Sequence, residues 1–317
     1  MLETSSVAFR PLIIGTRGSP LALWQAHFVQ KGLQAKHLGL KISIRAIKTS
    51  GDKLKKASLA KIGGKGLFIK EIEEALLAGK IDLAVHSMKD LPIDLPDELQ
   101  IFGVLKREDP RDVFVSKKYD SILGLPRRSV IGTGSLRRQA QLKNFRPDFK
   151  IVPVRGNVET RLRKIGKGGC DAMILAAAGL IRLGFTAKIR EYLPTTLMIP
   201  AVGQGVIGIE GRVGDPEAES LARSLNDPVT EACLLAERSF LKELGGDCQS
   251  PIAGYAEPNG LAMELTGLVA SPDGRELIRD QVTGFVKDPV SLGRQMGRSL
   301  LAKGAKEILK SCRDEEE

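Results

Sequence analysis

The feature that most restricts the fold is a repeated order: a short apolar run, a polar or glycine-bearing turn, then a helical stretch. A buried-looking strand at residues 81–85 leads into His86-Ser87-Met88-Lys89-Asp90, and strand–turn–helix recurs from Val130, from Ile151 and over residues 171–179. Such alternation is the pattern of α/β domains with mainly parallel sheets. Upstream, residues 13–16 read as a strand and turn. Ser19 is a good helix N-cap and Pro20 a good first helical residue for a helix to about Ala35. Leu21, Trp24, Phe28 and Leu33 are expected on its core side. Residues 42–47 alternate apolar and polar, as a strand does. Residues 51–66, rich in Lys and Gly, are expected to form a mobile loop. Residues 67–78 carry a helical period with Phe68, Ile72, Ala75 and Leu76 on one side, and Gly79 supplies the stop.

Past residue 225 the pattern changes. Asp227-Pro228 opens a helix to about Leu244, which Gly245-Gly246 ends. The turn signals Pro258-Asn259-Gly260 and Pro272-Asp273-Gly274 separate short strand-like runs, so a small antiparallel sheet is expected. A last helix over about residues 290–311 would cover it, and the acidic end, 314–317, is expected to be disordered. At 317 residues the chain exceeds one ordinary core, so two or three domains are expected. The fold class is therefore α/β, with a separate, smaller C-terminal α+β domain.

Arginines gather at the ends of the strand-like runs. Gly132-Thr133-Gly134-Ser135-Leu136-Arg137-Arg138 follows one, and Arg155-Gly156-Asn157 and Arg161 follow the next. Backbone N–H groups at a helix start favour anions, and guanidinium forks fit carboxylates in a bidentate way. Taken singly, each arginine reads as solvated surface charge. Placed together at equivalent strand ends, where open α/β sheets bind ligands, they read as a site for a ligand with several carboxylates or phosphates.

The net charge of +10 permits nucleic acid, an acidic membrane surface or a small anion. One Trp, three Tyr and the lack of a long basic block speak against nucleic acid. The longest apolar run, residues 172–181, spans only about ten residues, too few to cross a bilayer. Residues 1–10 carry no apolar core of an export signal, and Cys170, Cys233, Cys248 and Cys312 form no C-x-x-C pair. A cytoplasmic protein without a disulfide framework is expected. His27, His37 and His86 have no metal-ligand spacing, so no metal is expected. Gly63-Gly64-Lys65-Gly66 lacks phosphate-loop spacing, and Gly132-x-Gly134 lacks the third glycine of a dinucleotide fingerprint.

Two residues carry two readings each. Asp90 follows a buried strand in a cationic chain. It reads either as a turn cap or as a lone carboxylate in a basic pocket, able to stabilise a cation or accept a proton. Cys248 lies in a small-residue loop, Gly246-Asp247-Cys248-Gln249-Ser250-Pro251. Most cysteines are inert, and Asp247 disfavours a thiolate, so the residues alone do not mark it as a nucleophile.

Longer motifs add a resemblance. Residues 14–22 (Ile-Gly-Thr-Arg-Gly-Ser-Pro-Leu-Ala), 61–68 (Lys-Ile-Gly-Gly-Lys-Gly-Leu-Phe), 85–92 (Val-His-Ser-Met-Lys-Asp-Leu-Pro) and 107–112 (Arg-Glu-Asp-Pro-Arg-Asp) resemble the porphobilinogen deaminase, or hydroxymethylbilane synthase, family. So do the arginine turns, residues 200–205 and the Cys248 loop, and the likeness covers about residues 12–312. It implies two α/β lobes like those of solute-binding proteins with a cleft between them: residues 10–105 with 206–223, and residues 106–205. A third domain, 224–317, would carry the cysteine loop. The chain would cross near Arg107 and return near Gln204.

The family reaction joins four porphobilinogen molecules head to tail, releases ammonia and yields hydroxymethylbilane. By resemblance, a dipyrromethane cofactor is held by a thioether to Cys248, and Asp90 is the catalytic carboxylate. The resemblance assigns Lys89, Ser135, Arg137, Arg138, Arg155, Thr133, Ser87 and Phe68 to the cofactor. It assigns Arg17, Ser19, Arg161, Arg182, Lys65 and Gln204 to the substrate. Porphobilinogen and the growing polypyrrole would be the partners of a monomer that binds neither nucleic acid nor membrane. Each added ring brings an acetate and a propionate, which is why so many cations are needed. A solute-binding protein would share the lobes and anion site without a cysteine loop, and would usually carry an export signal. A nucleic-acid binder would explain the charge but not its placement at turns. A covalent dipyrrole, visible by intact mass, separates the first reading from both.

Overall fold

The computed structural model describes residues 10–50, 69–166, 169–245 and 250–314. The expected mobile loop, Lys65, Phe68, Cys248 and the acidic end beyond 314 lie outside the described residues. In chain order the elements are β1 (Leu12–Arg17), α1 (Pro20–Lys36), β2 (Ile42–Ile47), α2 (Lys70–Leu77), β3 (Leu83–Ser87), β4 (Leu99–Val104), β5 (Asp112–Ser116), β6 (Val130–Gly132), α3 (Leu136–Phe145), β7 (Lys150–Val152), α4 (Val158–Lys164), β8 (Ala172–Ala176), α5 (Ala177–Arg182), β9 (Glu191–Tyr192), β10 (Ile207–Arg212), α6 (Pro216–Arg223), α7 (Pro228–Glu243), β11 (Ile252–Asn259), β12 (Ala262–Ala270), β13 (Leu277–Phe285), α8 (Pro289–Ala302) and α9 (Ala305–Asp314). A single 3-10 turn, Met88–Asp90, follows β3. These elements form two compact units. One takes the chain through His86 with residues 94–105 and 207–227; the other takes 87–93, 106–206 and everything from Pro228.

The first unit is built on a five-stranded sheet in the order β2-β1-β3-β10-β4. β1 runs parallel to β2 and β3, and β4 runs antiparallel to β10. Leu12, Ile14, Leu83, Phe102 and Ile209 form its core against Val29 and Leu33 of α1. Ser19 caps α1, its Oγ accepting from Ala22 N at 3.3 Å, and Pro20 stands in the first turn. The phase of α1 differs from the sequence expectation. Its buried stripe is Gln25, Ala26, Val29 and Leu33, while Phe28 is 49% exposed and Leu21 only partly buried. The physical reason is local. Trp24 packs on the sheet core as expected, while Phe28, one helical turn on, stacks against it at the rim with centroids 5.1 Å apart. In α2, Ile72 and Leu76 are buried as expected.

The second unit holds two sheets. One is five-stranded, in the order β7-β6-β8-β5-β9. β6 is parallel to β7 and β8, but β5 is antiparallel to β8 and β9. The second unit's α/β sheet is thus half antiparallel where a mainly parallel sheet was expected, and the first unit's sheet carries β4 as an antiparallel edge. β5 enters from the segment before Asp112 instead of through a helical crossover, so nothing obliges it to run parallel. The other sheet is the expected antiparallel one, β11-β12-β13. Gly260 and Gly274 have φ of +62° and +72° in the two anticipated turns. α7 and α8 cover this sheet through Phe240, Leu292 and Met296 on Met263 and Leu265. The expected single last helix is two helices. Gly304, with φ of +98°, takes the left-handed conformation that ends α8 before α9 begins.

Candidate functional site

Most described site residues lie in turns after β3, β6 and β7. After β6, Thr133 N donates to Val152 O at 3.0 Å, and Ser135 N donates to Thr133 Oγ1 at 3.2 Å. Ser135 caps α3, its Oγ accepting from Arg138 N at 3.4 Å. Each hydroxyl still has its own proton to donate. A Cβ at Gly132 would sit 2.8 Å from Val154 Cγ2, so only glycine lets this turn lie against the chain after β7. The cap places Arg137 and Arg138 in the first turn of α3, where both are buried.

What they meet there was not anticipated. Asp112, the first residue of β5, is fully buried between them. Arg137 Nη2 lies 2.8 Å from Asp112 Oδ2. Arg138 donates to Oδ1 from Nη2 at 2.7 Å and from Nε at 3.1 Å. Gln204 Nε2 adds a bond to the same Oδ1 at 2.9 Å and another to Pro110 O at 2.7 Å. Burial pushes the Asp112 carboxyl up, but the two guanidiniums and these hydrogen bonds outweigh it and hold the group at about 2. Arg137 Nη1 is fixed by Ile199 O at 2.6 Å and Arg138 Nη1 by Ile174 O at 3.1 Å. Two arginines thus share one carboxylate and keep a net positive charge in fixed orientation. Arg137 Nε is buried and meets no hydrogen-bond acceptor among the described residues.

Asp90 ends the 3-10 turn and is exposed. Beside it the Lys89 ammonium is drawn down to about 8, by burial first; Asp90 opposes this, and Arg138 and Arg137 reinforce it. Arg161 is likewise held below the usual arginine range by burial and then by Arg138, with Asp90 opposing. Lys89, Asp90, Arg137, Arg138 and Arg161 therefore share one electrostatic neighbourhood. A hollow opens there. Its polar wall includes Lys89, Ser135, Arg137, Arg238 and Ser250, and its apolar wall includes Met88, Leu91 and Val202.

The other predicted residues are placed differently. Asn157 caps α4, its Oδ1 accepting from Thr160 N at 2.9 Å, and Arg161 Nε donates to Gly156 O at 2.8 Å. Arg155 is exposed, and Ser87, ending β3, is partly buried. Arg182 is buried and donates to Gly205 O at 2.7 Å; burial draws it down to about 10, with Glu108 opposing. Arg182 and Gln204 thus brace the segment around Gly205. Arg17, half-buried, ends β1, and Ser19 caps α1; both belong to the first unit.

The sequence reading missed a second buried carboxylate. Glu237, on α7, is fully buried. Its Oε1 accepts from Arg107 Nη2 at 2.8 Å and Ala256 N at 2.9 Å, and its Oε2 accepts from Gly203 N at 2.7 Å. Burial pushes this group up, against the pull of Arg107 and the backbone donors. Gly203 has φ of +70°, and a Cβ there would lie 3.0 Å from the Met88 backbone. Asp112 left one trace in the sequence, an acidic residue opening an apolar run, which also reads as a plain strand-edge polar group. Glu237 left none, because an acidic residue within a helix is ordinary.

Two family models match the chain. "Porphobilinogen deaminase, dipyromethane cofactor binding domain" covers residues 12–220, and "Porphobilinogen deaminase, C-terminal domain" covers residues 231–302. The porphobilinogen deaminase of Geotalea uraniireducens is 49% identical over 303 residues, 96% of this chain and 95% of its own. That of Trichlorobacter lovleyi is 49% identical over 303 residues, 96% of this chain and 97% of its own. That of Syntrophus aciditrophicus is 48% identical over 301 residues, 95% of this chain and 98% of its own. Among solved structures, the methionine binding protein MetQ aligns at 16% identity and a TM-score of 0.43, over 68% of this chain and 89% of its own.

Proposed function

The chain belongs to the porphobilinogen deaminase family, and on that premise we propose that it joins porphobilinogen molecules head to tail into hydroxymethylbilane, releasing ammonia, on a dipyrromethane held at Cys248. It is a transferase of tetrapyrrole, haem-forming biosynthesis. The residues present fit a carboxylate-bearing dipyrrole. Arg137 Nε is a buried donor without an acceptor among the described residues, and Lys89 and Ser135 stand on the same wall of the hollow. When bound, the group supplies the pyrrole carbon from which the chain is lengthened.

The remaining work falls to the protein's own side chains. Arg137, Arg138, Arg155 and Lys89 hold acetate and propionate groups, with Thr133, Ser87 and Ser135 as hydroxyl donors and Phe68 as a stacking surface. Arg17, Ser19, Lys65 and Arg161 meet the incoming substrate; Arg182, expected there too, supports the segment around Gly205, and Gln204 keeps the Asp112 cluster in place. Loss of ammonia from the substrate's aminomethyl group leaves a cation spread over its pyrrole. The Asp90 carboxylate stabilises that charge more in the transition state than in the ground state. It also accepts the pyrrole N–H, and later the proton that the new bond displaces. The enzyme acts as a cytoplasmic monomer. Among the described residues, no helix is long and apolar enough to cross a membrane.

The observation that carries this reading is the grouping of Lys89, Ser135 and Arg137 around one hollow with Ser250, two residues beyond Cys248 in the chain. Intact mass of the purified protein should show a dipyrrole adduct that reacts with Ehrlich's reagent, and Cys248→Ala should lose both. An adduct mapped to Cys170, Cys233 or Cys312 would overturn the assignment.

The Lys89 ammonium adds a pH dependence of known sign. It is charged below about pH 8 and loses its proton as pH rises through that value. Capture of preassembled tetrapyrrole by unmodified protein should therefore weaken as pH passes about 8. In Lys89→Arg the guanidinium stays charged, so this alkaline fall should vanish up to about pH 9.5. Equal falls in both proteins would remove Lys89 from the binding site.

A further inference from the structure

The 3-10 turn that carries Asp90 has little to hold it in place by itself. Its own closing hydrogen bond, Leu91 N to Met88 O, is long at 3.4 Å, and 3-10 bonds have poor geometry. Asp90 itself is exposed. Its position must be set from outside the turn.

Helix α7 provides that from two successive residues. Arg238 donates to three successive carbonyls just past Asp90: from Nη1 to Leu91 O at 3.3 Å, and from Nη2 to Pro92 O at 2.5 Å and Ile93 O at 2.9 Å. The planar fork suits this task, because one rigid group fixes several acceptors at once. Pro92 stiffens the same segment by fixing its own φ. At the start of the turn, Met88 is buried and its N donates to Val206 O at 3.0 Å. The Gly203 turn lies against the Met88 backbone, and Glu237 holds Gly203 N at 2.7 Å. Glu237 and Arg238 thus grip the chain on either side of Lys89 and Asp90.

We propose that Arg238 is a positioning residue for Asp90, acting through the Leu91, Pro92 and Ile93 carbonyls rather than by touching substrate. The inference rests on the deaminase reading of the site. A misplacement of about 1 Å of a catalytic group can cost roughly 10²-fold in rate. A residue that only aims the carboxylate should therefore change turnover and leave substrate affinity nearly intact. Arg238 also lines the hollow, so the rival role is direct binding of a ligand carboxylate.

The test compares cofactor-loaded wild type, Arg238→Gln and Arg238→Lys by amide hydrogen exchange of the peptide over residues 87–93 and by steady-state kinetics. The expected result for Arg238→Gln is exchange at least about tenfold faster in that peptide. Its kcat should fall roughly tenfold to a hundredfold, with KM within about threefold of wild type. Arg238→Lys, which can reach one carbonyl at a time, should fall between. Unchanged exchange would overturn the proposal. So would a raised KM at wild-type kcat, which would make Arg238 a ligand-binding residue. If wild type itself releases no ammonia, the deaminase reading fails, and the exchange measurement still decides the clamp.

Discussion

Cofactor-loaded Asp90→Asn should release ammonia at least about a thousandfold more slowly than wild type in a single turnover, which corresponds to roughly 4 kcal/mol of lost transition-state stabilisation. The substitution keeps the shape of the side chain and removes only its charge. Asp90 is exposed at the end of its turn, so no buried contact is lost and thermal unfolding should stay close to wild type. The effect is large because the lost charge is the one proposed to stabilise the developing pyrrole cation; Asp90 also raises the Lys89 ammonium beside it. The sign carries a corollary. Without Asp90, the Lys89 ammonium should lose its proton below about 8, moving the alkaline fall of tetrapyrrole capture to lower pH. Asp90→Glu keeps the charge but shifts it by a methylene, and should retain weak activity. A single-turnover rate for Asp90→Asn within about tenfold of wild type would make Asp90 a turn cap and send the search for the carboxylate elsewhere.

Asp112→Ala should show the largest loss of stability, about 3–5 kcal/mol, because it leaves two buried guanidiniums sharing no carboxylate. The carboxyl, held at about 2, is ionised at every working pH, and its contribution is lost only as pH falls towards that value. Formate or acetate should raise the melting temperature of Asp112→Ala more than that of wild type, since a small anion can stand where the side chain stood. Its capture of tetrapyrrole should fail without added anion, as Arg137 and Arg138 lose the group that orients them. A melting temperature within a degree or two of wild type, checked by thermal unfolding with and without formate, would show that the cluster does not need its carboxylate.

Those two carboxylates show which parts of the site the sequence could display. Asp90 and the arginines after Gly132 were visible because a strand end, a turn and a cap are local signals, complete within a few residues. Asp112, Glu237 and Arg238 were not, because each is defined by partners far along the chain. Arg138 is 26 residues from Asp112, Gly203 is 34 from Glu237, and Arg238 is 146 from Pro92. The same division runs through the fold. Ser19-Pro20 and the glycine turns of the C-terminal sheet announced their elements. The exposure of Phe28 did not follow from apolar spacing, because it stacks on Trp24 instead of entering the core. Nor did the break at Gly304, where a glycine inside a helical pattern reads equally as interior. The antiparallel course of β5 depends on how the chain enters the sheet, which no short pattern records. Lys65, Phe68 and Cys248 rest on the resemblance.

The strand order β2-β1-β3-β10-β4 has a consequence for synthesis. β4 ends at Val104 and its neighbour β10 begins at Ile207, so about 100 residues (207 − 104) must emerge between them. At roughly 5–20 residues per second, β4 waits on the order of 5–20 s on the ribosome with an unsatisfied edge. Leu99, Phe102 and Val104, all buried in the finished sheet, would be exposed during that interval. Nascent chains stalled before residue 207 should therefore bind chaperones or aggregate, and that vulnerability should end only once α6, which also packs on Phe102, has emerged.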